Sequence, residues 1–305
     1  MNTGQTEEIL SLEPRFVSVY GADHSPWVQA VLLGLHEKGI PHKSTTVPPL
    51  SLLVISGILM PAAQFEGGCW VHDSERLLVR LGFSTVLKKD RKMMLTTFSS
   101  SASQRTESVW EFWHLWSYVR DEHPNQVRRL WNHFWRSFSV FYFFLVICVA
   151  RGRFGQSSNT KLSKNFMYWE DKLASGNLFL VGDTPDTLDL QLFGMVQMFA
   201  SIPGRSLRVL QCNPKLPRLR EWIERMQRRF SDYTHLYSGP HFEPRFPSPV
   251  FSTRTERGFF WLGCLVMWLA FPITLLTTVY FFVRVGMKGL RYYRQSDEVT
   301  PLPRR

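Results

Sequence analysis

"GADHSPWVQAVLLGLHEKGI", Gly21 to Ile40, runs a loop straight into an amphipathic helix. Ser25 has an N-cap side chain, and Pro26 suits the first helical position, where its missing N–H is one the helix would leave unpaired anyway. Apolar residues recur at Val28, Val31, Leu32 and Leu35, the spacing of one helix face, and Gly39 stands where a C-cap would end it. On one side "RFVSVY", Arg15 to Tyr20, alternates as a strand does, and on the other "HKSTTV" reads as a second strand. The segment is therefore a β-α-β opening.

Further along, "MPAAQF" from Met60 to Phe65, the turn "EGG" and "CWVH" from Cys69 to His72 make a hairpin. "DSERLLVRLG", Asp73 to Gly82, then starts a helix with Ser74 as its expected N-cap. The order β-α-β-β-β-α predicts a small α/β layer with a mixed sheet. From Lys88 onward strand patterns cease, and Arg105 to Arg120, Gln126 to Ala150, Lys161 to Ser175, Thr187 to Ser201 and Lys215 to Phe230 have helical character. The aromatics of Val109 to Val119 and Leu130 to Trp135 fit either plain core or the lining of an apolar second-substrate pocket.

Composition limits the function classes. A chain of 305 residues that is 44% hydrophobic and 20% charged has the means to bury a full core and is not a disordered protein. Its net charge of +11 suggests an acidic partner. With Lys and Arg spread along the chain and no zinc-finger or RNA-binding motif, a membrane surface explains the charge at least as well as nucleic acid, which is the weaker reading and is not expected as a partner. Cys69, Cys148, Cys212 and Cys264 are far apart, with neither a disulfide framework nor CxxC metal spacing, so buried thiols in a reducing compartment are expected and no metal site is. The polar, acidic start of the chain does not read as a signal peptide.

Between Arg257 and Arg284 lies an uncharged stretch of about 26 residues, longer than the roughly 20 that cross a bilayer as a helix. Phe259, Phe260 and Trp261 at one end and Tyr280, Phe281 and Phe282 at the other fit interfacial belts, and Pro272 is a kink position. One transmembrane helix is expected. Phe138 to Ala150, about 13 apolar residues, suits a buried core helix better than a span. A span this near the end of the chain predicts a tail anchor with the main domain cytosolic, whereas Arg284, Lys288, Arg291, Arg294, Arg304 and Arg305 after it outnumber Arg254 and Arg257 before it and favour a cytosolic tail. The folding constraint is weighted above the charge rule.

Five segments in order, "SPWVQAVLLGLHEKGIPHK", Met60-Pro61 before a hairpin, "DSERLL" after it, and "LFLVGDTPDTLDLQLFG" and "NPKLPRLREWIERMQRRF" in the second half, resemble the glutathione transferases. The Ser-Pro-aromatic start resembles the serine-type classes. The resemblance, which covers roughly Phe16 to Phe230, implies a thioredoxin-like α/β domain followed by an all-helical glutathione transferase C-terminal domain, and the apolar stretch adds a single transmembrane helix that typical members lack. The expected boundaries in the whole chain are a flexible N-terminus at 1–14, a thioredoxin-like glutathione-binding domain at 15–85, an all-helical domain at 86–237, a linker at 238–257, the span at 258–283 and a basic tail at 284–305. The resemblance further implies glutathione as co-substrate, an apolar second substrate and a homodimer, while the apolar stretch and the basic charge give a lipid bilayer as a partner.

The resemblance also assigns roles. Ser25 would donate a hydrogen bond to the glutathione thiolate at a helix N-terminus, where unpaired N–H groups favour negative charge. Met60, before a cis Pro61, would meet the cysteinyl backbone, Ser74 would receive the γ-glutamyl carboxylate, and Asp73 would face the γ-glutamyl ammonium. Asp186 and Asp189 resemble the capping pair that nucleates the core helix. His24 reads as a solvated loop residue. "PPLSLLVISGIL", Pro48 to Leu59, is apolar where the family has a polar stretch. The expected activity is conjugation of glutathione to apolar electrophiles or reduction of lipid peroxides. The alternative is a non-catalytic, metaxin-like membrane adaptor.

Overall fold

The computed structural model describes residues 16–22, 25–104, 117, 123–154, 159–201, 205–237 and 251–298. Its first layer is β1 (Val17–Tyr20), α1 (Pro26–Glu37), β2 (His42–Thr45), α2 (Leu50–Ser56), β3 (Ala62–Phe65), β4 (Trp70–His72) and α3 (Ser74–Arg80). The sheet order is β2-β1-β3-β4. β1 and β2 are parallel because α1 carries the chain back between them, and the β3–β4 hairpin adds antiparallel to β1. Val17 and Val19 bury one face of β1 against Val28, Val31 and Leu32 of α1, while Tyr20 joins Leu52 and Ala62 beneath α2. The mixed sheet predicted from the strand pattern is present, with α2 as an additional helix that its short, almost continuously apolar run does not reveal by periodicity.

The helical layer comprises α4 (Lys88–Gln104), α5 (Gln126–Phe154), α6 (Asn159–Leu173), α7 (Thr187–Ser201), α8 (Arg205–Cys212) and α9 (Pro217–Arg229). The predicted helix over 105–120 lies outside the described residues save Ser117. α7 is buried almost all round, which explains its near-continuous apolar sequence. It starts as expected: the Asp186 carbonyl accepts from Leu190 N–H at 3.0 Å, its carboxylate accepts from Thr187 N–H at 2.7 Å, and Asp189 accepts from Asp186 N–H at 3.2 Å. Asp186 also accepts from Ser84 N–H at 2.7 Å, so the cap of α7 is tied to the segment joining the two layers. A second tie is Glu75, buried at the start of α3, which accepts from Val86 N–H at 3.0 Å and from Arg91 Nε at 2.7 Å.

Two helix starts are capped by distant or unforeseen groups. α9 has Leu216 at its N-cap and no side-chain cap of its own. Glu170 of α6 supplies it, accepting from Arg218 and Leu219 N–H at 3.1 and 2.8 Å. The long final helix, α10 (Arg254–Glu298), begins with a capping box in which Thr253 N–H donates to Glu256 at 2.7 Å and Glu256 N–H donates to Thr253 Oγ1 at 3.2 Å.

α10 contains Pro272 and the one segment among the described residues, Arg254–Val285, that is long and apolar enough to cross a membrane. It lies along α5. Arg129 Nε donates to Glu256 at 3.0 Å, Gly263 sits against Phe134 and Ser137, and the rings of Tyr142 and Phe271 are 6.2 Å apart. Both sets of numbers rise together, so the two helices are parallel. Phe138 to Ala150 is accordingly not a helix buried on every side: Tyr142 is buried, whereas Phe143 and Val149 are exposed. The cysteines also depart from expectation, since Cys264 alone is buried and Cys69, Cys148 and Cys212 are exposed. Apolar neighbours in sequence do not cover a side chain that faces outward on a helix or loop.

Candidate functional site

The register places Tyr20 opposite Ala62 and Ala62 opposite His72. The end of β1, the start of β3 and the end of β4 thus lie side by side, and the segments they adjoin, the loop to Ser25, the Met60-Pro61 dipeptide and Asp73-Ser74, gather at one end of the sheet. The N-termini of α1 and α3 follow directly from two of these segments, so two helix starts lie at the same end of the sheet.

Ser25 is the N-cap residue of α1, with extended backbone at φ −72° and ψ 127°, and its carbonyl accepts from Gln29 N–H at 2.9 Å. Its hydroxyl makes no capping bond to the helix. That is unusual for a serine here, because capping is the ordinary use of its side chain. The hydroxyl is left for something else. Asp23 and His24 lie outside the described residues.

Ala22 joins Ser25 to Met60. Its carbonyl accepts from Ser25 N–H at 2.9 Å, and its own N–H lies 3.4 Å from the Met60 sulfur. The Met60-Pro61 peptide is cis. Just before it, Ile58 C=O accepts from the buried Tyr20 hydroxyl at 3.3 Å, and burial pushes that phenol far above its ordinary range, so it stays protonated.

At α3 the structure corrects the expected cap. The N-cap is Asp73, at φ 82°, accepting from Glu75 N–H at 2.9 Å and Arg76 N–H at 3.4 Å, and Ser74 is the first helical residue. Aspartate tolerates the left-handed region better than serine does, which accounts for the shift by one position. Asp73 is exposed as a residue, but its carboxyl is turned onto the start of α3 and partly desolvated there, which raises its pKa against the pull of the two N–H donors. Ser74 is buried and its Oγ accepts from Gln191 Nε2 of α7 at 3.2 Å. Gln191 is the site neighbour that the residue patterns missed. A signal was present: it is a glutamine inside a helix otherwise read as core.

α7 also sets the position of Ser25 from behind. A Cβ on Gly194 would collide with the Pro26 carbonyl oxygen and stand 3.2 Å from Ala30 N, both backbone atoms that cannot step aside cheaply. Gly194→Ala is therefore expected to destabilise the fold by about 1–3 kcal/mol, the cost of overpacking. Denaturant unfolding of the two proteins measures it.

The aromatic cluster is divided. Trp110, Trp113 and Trp116 lie outside the described residues, while Trp131 stacks on Phe134 at 5.7 Å and meets Trp135 edge-on at 5.5 Å along α5.

Residues 156–225 match the family profile "Glutathione S-transferase, C-terminal domain". No curated protein matches the chain. Among solved structures, a glutathione S-transferase from Xanthobacter autotrophicus Py2 is similar at 16% identity over 69% of this chain and 92% of that one, with a TM-score of 0.38. A glutathione S-transferase from Pseudomonas fluorescens Pf-5 is similar at 16% identity over 69% and 94%, with a TM-score of 0.40. Ure2p in complex with glutathione is similar at 14% identity over 74% and 95%, with a TM-score of 0.42.

Proposed function

We propose that this chain is a membrane-bound, glutathione transferase-like enzyme whose folded body faces the cytosol. The observation that carries the reading is the uncommitted Ser25 hydroxyl at the start of α1, at the sheet end where cis Met60-Pro61 and Asp73-Ser74 also gather. In this reading the hydroxyl donates to the sulfur of bound glutathione and holds it as thiolate, helped by the α1 N-terminus. The thiolate sulfur then forms a bond to the electrophilic carbon of an apolar substrate, whose leaving group or π electrons take up the charge. The Met60 backbone faces the cysteinyl part. Ser74, its Oγ accepting from Gln191, keeps its own O–H to donate to the γ-glutamyl carboxylate.

The second reading is a non-catalytic membrane adaptor on the same fold. It is favoured by α2 and its flanks, which carry no charge from Ser44 to Phe65 where a glutathione clasp would be polar. Retention of the full chain, in detergent, on immobilised glutathione separates the two. Retention with elution by free glutathione is expected, and passage straight through the column supports the adaptor.

A further inference from the structure

The uncharged stretch of α10 is held near both of its ends by one folded body. At the start of the helix Glu256 pairs with Arg129 of α5, and Ser252 Oγ donates to the Ser117 carbonyl at 2.7 Å. Near the far end of the uncharged stretch Phe281 lies against Gly57, where a Cβ would stand 2.7 Å from the Phe281 ring. Gly57 follows α2, has φ 63°, and lies three residues before Met60 of the candidate site. The distance along α10 from Arg257 to Arg284 is about 40 Å at 1.5 Å per residue.

A helix that crosses a bilayer must deliver its ends to opposite faces, about 30 Å apart. Here that demand would carry α5 across as well, because it runs parallel to α10 from Arg129 to Tyr142, and α5 would take His133 and Arg136, which flank the Phe134 that Gly263 meets, past the start of the uncharged stretch. Ionisable side chains at that depth are costly. Lying along the membrane removes the conflict. α5 covers the stripe of α10 at Phe260, Cys264 and Met267, and the opposite stripe at Leu265, Leu269, Ile273 and Leu276 faces outward, with Ile273 69% exposed. A helix apolar on every side is a poor interfacial helix by itself. With one side covered by α5, the folded body supplies the polar surface that α10 lacks.

α2 extends this surface. Leu50 and Val54 are 81% and 74% exposed on α2, which ends at the Gly57 that Phe281 meets. Arg254 and Arg257 before the uncharged stretch and Arg284 after it sit where anionic headgroups would be, in a chain of net charge +11. We infer that α10, the outer face of α5 and α2 together dip into one leaflet of an anionic lipid bilayer, so that the chain lies on the membrane without crossing it and the candidate site is held at the lipid surface. This deepens the membrane-bound reading above and rests on its premise that α10 meets lipid.

The test uses the full chain with an epitope after Arg305, delivered to preformed, sealed phosphatidylcholine–phosphatidylserine vesicles. The chain is expected to resist alkaline carbonate extraction, and protease added outside is expected to remove the epitope without detergent. An epitope protected until detergent is added overturns the inference in favour of a span. Release by carbonate overturns it together with the membrane premise. In a second arm, Val54→Cys bears a benzophenone in a chain whose Cys69, Cys148 and Cys212 are serine. Photolysis is expected to give lipid adducts. Adducts to a second copy of the chain, or none, overturn the placement of α2.

Discussion

Ser25→Ala is expected to lower turnover with a glutathione-accepting electrophile by one to three orders of magnitude, about the effect of removing one oxyanion-type donor. The size follows from what the hydroxyl does. It makes no capping bond to α1, so alanine removes nothing that the helix uses, and the usual penalty of about 1 kcal/mol for losing an N-cap side chain does not apply. A glutathione thiolate without its donor has a raised pKa and is scarcer at neutral pH, so the loss falls on the chemical step and on the pH profile of turnover. Turnover and its pH dependence, measured beside a thermal unfolding curve, check both halves. Unchanged turnover takes Ser25 out of the mechanism, and a large drop in unfolding temperature reassigns it to structure.

The largest stability effect is expected at Asp189. It is fully buried, with Oδ1 accepting from Leu180 N–H at 2.9 Å and from Trp222 Nε1–H at 2.8 Å, and Oδ2 accepting from Asp186 N–H. Asp189→Ala strands these donors in the core, at about 1–3 kcal/mol for each buried group left unpaired, so a loss of about 3–4 kcal/mol or more is expected. Asp189→Asn keeps one acceptor oxygen for Leu180 and Trp222, and its loss is expected to be about half as large. Burial pushes the Asp189 carboxyl up to about 6, outweighing the donors that pull it down. A carboxyl raised above its unfolded value contributes stability that is full below about 4 and lost as pH climbs through about 6. Denaturation midpoints from pH 4 to 7 should therefore fall in the native chain and fall less in Asp189→Asn.

These two aspartate and serine positions show how unevenly the site could be read from residues alone. The cap of α7 was readable because Asp186 and Asp189 act within three positions of each other, and local hydrogen bonding leaves a local pattern. The cap of α9 was not, because its acceptor, Glu170, stands 48 positions before the Arg218 N–H that it receives. The misplaced cap at α3 has a local cause of another kind: Asp and Ser are both good caps, and φ 82° at Asp73, set where β4 turns into α3, decides between them. Gln191 was visible as a polar residue in an apolar helix, but its partner, Ser74, is 117 positions away.

Segment type outside α2, strand order around Ser25, the proline before the hairpin and the length of the apolar stretch at 258–283 were determined by the sequence, because each depends on backbone preference or hydrophobic period within one or two turns of chain. Tertiary structure alone decided that the Ser25 hydroxyl is left uncommitted, that three of four cysteines are exposed, that α5 covers one side of α10, and that Phe281 closes on Gly57 beside the site. Each of these is a contact, or its absence, between segments far apart in the chain, and side-chain burial and hydrogen-bond partnership across such distances are set by packing geometry that no local pattern encodes.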